Sequence, residues 1–178
     1  MGDMRRLAIL LALPIALTLA PAYAAVPTER TVTDPAENGV AWDIGRVTLR
    51  ASNGEFAKVV VRHRRAVDVG DGIDLWFDTD GDQVPDIYLT GLGFSEYTVY
   101  KARGWRGHGR DISDRGCATL KMVGRRSVVR LDPGCLAPSK RYAVSVRSSV
   151  HGEPDSTVDF VPAERRLTRP VKSYLPGQ

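Results

Sequence analysis

In Ile73-Asp74-Leu75-Trp76-Phe77-Asp78, the apolar residues Ile73, Leu75 and Phe77 alternate with Asp74, Trp76 and Asp78. A period of two belongs to an extended chain, whose successive side chains point to opposite faces. The segment is therefore expected to be a half-buried strand, with Ile73, Leu75 and Phe77 toward a core. Glycines at Gly70 and Gly72 break the chain before it, and an Asp- and Gly-rich turn follows it.

The same pattern repeats on either side. Upstream, residues 44–51 carry Val47, Leu49 and Ala51 at alternate positions, and Asn53-Gly54 is a hairpin signal. Residues 56–64 follow, with Val59, Val61 and His63 on one face. Downstream come residues 86–90, residues 96–102, a Gly- and Arg-rich loop at 104–109, and two runs at 117–123 and 127–131 across Gly124-Arg125. Residues 141–149 and a short piece at 157–161 complete the set. No segment sustains an apolar period of 3.6. Eight or nine short strands separated by turn residues predict an all-β fold, a single antiparallel β-sandwich.

The N-terminus predicts export. Arg5-Arg6 precede a run without charge from Leu7 to Ala20, followed by Ala22-Tyr23-Ala24. The run is shorter than the roughly 20 residues of a membrane span, and small-x-small is a cleavage pattern, so residues 1–24 are expected to be a signal peptide. No later stretch is long and apolar enough to span a bilayer. Residues 25–40, with Pro27, Pro35 and Asn38-Gly39, are expected to be a flexible leader, residues 41–171 the sandwich, and residues 172–178 a tail. Without the signal the formal charge falls from +4 to +3. That mild excess does not single out nucleic acid.

Two cysteines, Cys117 and Cys135, stand 18 positions apart. In an exported chain an even count favours a disulfide over free thiols or a metal pair.

Asp78-Thr79-Asp80-Gly81-Asp82-Gln83-Val84-Pro85-Asp86 sets carboxylates at alternate positions, with a fourth four residues on. Calcium takes six to eight oxygen ligands, and a tight turn can supply several. Asp78, Asp80, Asp82 and Asp86 are the candidate ligands. Gln83 stands where calcium loops usually carry Gly, and Leu89 where they carry a bidentate Glu. The alternative is a polar hairpin turn.

Trp76, Tyr88, Tyr100 and Trp105 are the candidate ligand-binding residues, since aromatic side chains beside polar ones suit a flat ligand. Trp105, in Gly104-Trp105-Arg106-Gly107-His108, can equally plug one end of the sandwich. Arg62-His63-Arg64-Arg65 is either a solvated strand end or a patch for phosphate or sulfate groups. Gly-x-Ser-x-Gly, His-Glu-x-x-His and a phosphate-binding Gly loop are all missing from the sequence. A dispersed hydrolase site stays open as an alternative, as does a purely structural envelope domain.

The order Val47-Thr48-Leu49-Arg50, Leu75-Trp76-Phe77-Asp78-Thr79-Asp80-Gly81-Asp82, Ser95-Glu96-Tyr97-Thr98-Val99-Tyr100, Gly104-Trp105, Cys135-Leu136 and Asp159-Phe160-Val161-Pro162 is similar to small secreted proteins of high-GC Gram-positive bacteria. It also resembles DOMON-type sandwiches and related carbohydrate-binding modules, over roughly residues 41–171. Such relatives bind haem or sugars, haem through a Met and a His. Met122 lies in a predicted strand and no His matches it, so the resemblance implies sugar or cell-envelope polymer as partner. The resulting expectation is a secreted, non-catalytic module that binds a glycan or envelope polymer and is stabilised by calcium.

Overall fold

The structure, a computed structural model, describes residues 25–52, 56–105, 108–136 and 140–174. The predicted signal peptide and the Asn53-Gly54 turn lie outside the described residues. Among those described, the chain is all-β, with twelve strands in two antiparallel sheets and three short 3₁₀ turns.

The first sheet has the order β1 (Glu29–Thr33), β2 (Ile44–Arg50), β3 (Ala57–His63), β9 (Arg126–Leu131), β8 (Ala118–Val123). The second runs β11 (Asp159–Val161), β10 (Arg141–Val150), β4 (Asp71–Asp78), β5 (Ile87–Leu92), β6 (Tyr97–Ala102), β7 (His108–Asp111), with β12 (Val171–Lys172) also on β10. Alternation decides which side chains meet between the sheets. Val47, Leu49, Val59, Val61, Val129 and Leu131 come from one, and Ile73, Leu75, Phe77, Leu89, Val144 and Val146 from the other. All are at most 1% exposed, so this is the single apolar core that holds the layers together.

Polar side chains also link the two layers, Tyr142 among them. The Tyr142 hydroxyl, from β10, lies 2.9 Å from the Arg50 carbonyl oxygen and 3.0 Å from that of Lys58, and accepts the Arg50 N–H at 3.0 Å. It thereby ties the second sheet to the turn end of the β2–β3 hairpin. Burial raises the phenol's pKa, so it stays neutral. Cys117 and Cys135 form a disulfide that closes the base of the β8–β9 hairpin, with Cα atoms 5.5 Å apart.

The ordered domain is longer at both ends than the sequence suggests. Residues 29–33, within the expected leader, form β1 and pair with β2 from Glu29↔Arg50 to Thr33↔Arg46. In the expected tail, Lys172 pairs with Arg141, and the Ser173 N–H donates to the Lys140 carbonyl. β1 is an edge strand, and residues 172–174 bridge β10 to Pro27 and Ser52 through backbone hydrogen bonds; backbone pairing of this kind leaves little apolar pattern in the sequence. β7 likewise begins inside the stretch 104–109 read as a Gly- and Arg-rich loop and runs past it to Asp111.

Candidate functional site

Four registered strands build an aromatic row on the outer face of the second sheet. Trp76 on β4 pairs with Tyr88 on β5, which pairs with Tyr100 on β6. Residues directly opposite in an antiparallel ladder share a face, so the three rings line up across the strands. Ring centroids are 5.1 Å apart for Trp76–Tyr88 and 6.1 Å for Tyr88–Tyr100. His108 on β7 extends the row, 4.3 Å from Tyr100 and 5.9 Å from Tyr88. Trp105, from the β6–β7 connection, leans over the other end, 6.2 Å from Trp76. Trp76, Tyr88, Tyr100 and Trp105 are all half-buried, and His108 is exposed. The structure thus brings all four expected aromatic residues together and adds His108.

Polar groups border the row. The Tyr88 hydroxyl donates to Asp74 Oδ1 at 2.7 Å, and the other Asp74 oxygen faces Arg147 Nη1 at 3.4 Å. Burial and then the Asp74 charge raise the Tyr88 pKa, which keeps the hydroxyl a donor. Thr90 and Thr98 sit in register with Asp74 on the same face. Beside Trp105, Arg165, Arg166 and Arg169 line a hollow of about 390 Å³ that Gln83 and Thr168 complete.

The Asp-rich turn closes the β4–β5 end of this face. Asp78 Oδ1 accepts the N–H groups of Asp80 and Gly81 at 3.2 and 2.6 Å, and Oδ2 accepts that of Gln83 at 3.1 Å. Asp86 Oδ2 accepts both the N–H and the hydroxyl of Thr79, at 2.7 and 2.9 Å. The carboxylates therefore shape the turn by capping its backbone donors. One oxygen each from Asp78, Asp80 and Asp86 lies within 4.8 Å of the others. Asp82 is not in that group: it is exposed, and its Oδ1 accepts the Val84 N–H at 2.7 Å. Gln83 adopts the left-handed conformation, φ 72°, that the missing glycine would have taken without strain. A wide hollow of about 700 Å³ opens beside the turn, lined by Asp80, Asp86, Lys101, Arg110 and Arg115.

His63 departs from its expected place. It is 4% exposed and stacked on Trp42, and its Nε2 lies 3.0 Å from the Ser127 hydroxyl. This Ser–His pair is poorly suited to hydrolysis. Ser127 is 0% exposed, burial pushes the His63 pKa down to about 3, and no carboxylate orients Nδ1 among the described residues. A second acidic group, Asp34, Glu37 and Asp159, surrounds the start of β2, where Asp159 Oδ2 accepts the Ile44 N–H at 2.6 Å. Burial, then the Asp159 charge, raises Asp34 to about 6.

Among the described residues no helix is long and apolar enough to cross a membrane. Comparison with models of known families, with curated proteins and with solved structures gives no match. The fold and its surface define a disulfide-closed all-β sandwich with an aromatic outer face.

Proposed function

We propose that this chain is a non-catalytic glycan-binding module of the extracellular or envelope compartment, and that the aromatic row on the second sheet is its binding face. The observation that carries this reading is the registered series Trp76, Tyr88, Tyr100, with Trp105 and His108 at its ends. Flat, half-exposed rings offer apolar area to the C–H faces of a sugar without ordering flexible side chains. Sugars also need hydroxyl partners, and Asp74, Arg147, Thr90 and Thr98 supply acceptors and donors along the same face. A row across four strands at about 4.8 Å per strand suits an extended polymer more than a single compact ligand.

Calcium is proposed as a structural ion at the turn, held by Asp78, Asp80 and Asp86. It would neutralise carboxylates that otherwise repel one another, and would fix the β4–β5 connection beside Trp76. Export is supported by the signal-like N-terminus and the disulfide. The test is binding to a panel of soluble polysaccharides by wild type and by Trp76→Ala and Tyr100→Ala.

A further inference from the structure

The outer face of the first sheet has a different chemistry. Its register places Arg46, Arg62 and Arg126 directly opposite one another on β2, β3 and β9, and Arg50, Lys58 and Arg130 form a second row on the same strands. The rows are four residues apart, about 13 Å, and within each row neighbouring strands are about 4.8 Å apart. Between them lies an uncharged row, Thr31, Thr48, Val60 and Val128, which ends at Lys121 on β8. Of the seven cations only Arg50 has a carboxylate partner among the described residues, Glu29 at 3.1 Å. This one face therefore concentrates more positive charge than the formal +4 of the whole chain.

Like charges directly opposite in a ladder destabilise it, and among the described residues only Glu29, on Arg50, offsets them here. A bound polyanion would reverse the sign of that interaction and release counterions. We propose that this face binds a linear glycan bearing sulfate or phosphate esters, whose charged groups engage the two basic rows while its backbone lies over the Thr and Val row. The arginine forks match such oxyanions with paired hydrogen bonds. The face has no aromatic side chain among the described residues, so it lacks the stacking platform that single-stranded nucleic acid uses. Its central apolar residues, Val60 and Val128, are half-buried behind exposed arginines, and the one exposed large apolar side chain on it among the described residues, Val123, stands at the β8 edge opposite Arg126, too small an apolar surface to enter a lipid layer. This site is on the opposite side of the sandwich from the aromatic row, and the two readings stand or fall separately.

The experiment uses the full exported chain with heparin and dextran sulfate as probes, and uncharged dextran, single-stranded DNA and phosphatidylglycerol vesicles as comparison arms. Heparin and dextran sulfate should bind, with affinity falling steeply as salt rises. Arg62→Gln combined with Arg126→Gln should weaken that binding by about tenfold or more. The charge-matched pair Arg103→Gln and Arg169→Gln, off this face, should change it by less than about twofold. Trp76→Ala should leave it intact. No binding to either sulfated probe, an equal loss in the control pair, or tighter binding to DNA or to vesicles would overturn the proposal. Circular dichroism of each variant reports folding, and Lys58→Gln with Arg130→Gln serves as the second test pair should the first fail to fold.

Discussion

The imidazole of His63 lies flat against the indole of Trp42, with ring centroids 3.6 Å apart and planes 10° from parallel. Trp42 is fully buried just before β2, and its carbonyl accepts a hydrogen bond from the Ser148 hydroxyl of β10. The stack therefore belongs to the end of the core where the two sheets meet.

Burial, with help from the Arg65 charge, holds His63 neutral down to about pH 3. An unfolded His protonates near pH 6.5, so the unfolded state binds more protons below that value. The stability contributed by neutral His63 is present above pH 6.5 and lost as pH falls toward 3. Between pH 7 and pH 4 the loss is on the order of 3 kcal/mol. Asp34, raised to about 6, acts in the opposite sense: its contribution is present below about pH 4 and lost as pH rises through 6. The decisive measurement compares wild type with His63→Phe by urea denaturation from pH 7 to pH 4. The variant should lose less stability on acidification, and parallel curves would show that His63 does not titrate as described.

Tyr142→Phe removes a hydroxyl that serves two carbonyls and one N–H across the core. Replacement leaves those backbone groups without that partner, at a cost of about 1–3 kcal/mol. Equilibrium unfolding should show the loss with little change in the denaturant slope. An unchanged midpoint would mean that the tie contributes nothing net.

The period-two alternation of residues 73–78 was enough to predict β4, and it also put Trp76 outward. The same reasoning, applied to Tyr88 and Tyr100, makes three members of the aromatic row legible in the sequence. His108 is not, because His108-Gly-Arg-Asp has no apolar residue, and its place as a strand comes from backbone pairing with β6. β1 was missed for a related reason: ERTVT between two prolines has one large apolar residue, Val32, and its edge is defined by β2. Burial of His63 depends on Trp42, 21 positions away in sequence, and strand periodicity cannot encode that contact. Spacing alone made Asp82 equivalent to Asp80, and only the turn's backbone geometry separates them.

If calcium sits at the turn, the melting temperature should rise by a few degrees in millimolar calcium. Free ligand at about tenfold its dissociation constant stabilises by roughly 1.4 kcal/mol. Magnesium should do less, because it holds its water and demands a tighter shell. Asp80→Asn should blunt the calcium response with little change in the calcium-free melting temperature. Identical melting in calcium and in chelator would leave Asp78, Asp80 and Asp86 as backbone caps alone.

The most direct measurement is affinity electrophoresis of wild type, Trp76→Ala and Tyr100→Ala through gels containing neutral polysaccharides, followed by calorimetry on any that retard the protein. At least one polysaccharide should bind wild type, and each substitution should weaken binding by roughly tenfold or more while circular dichroism stays unchanged. Binding that survives both substitutions, or wild type that ignores every neutral polysaccharide in a broad panel, would contradict the assignment of the aromatic row as a glycan-binding face.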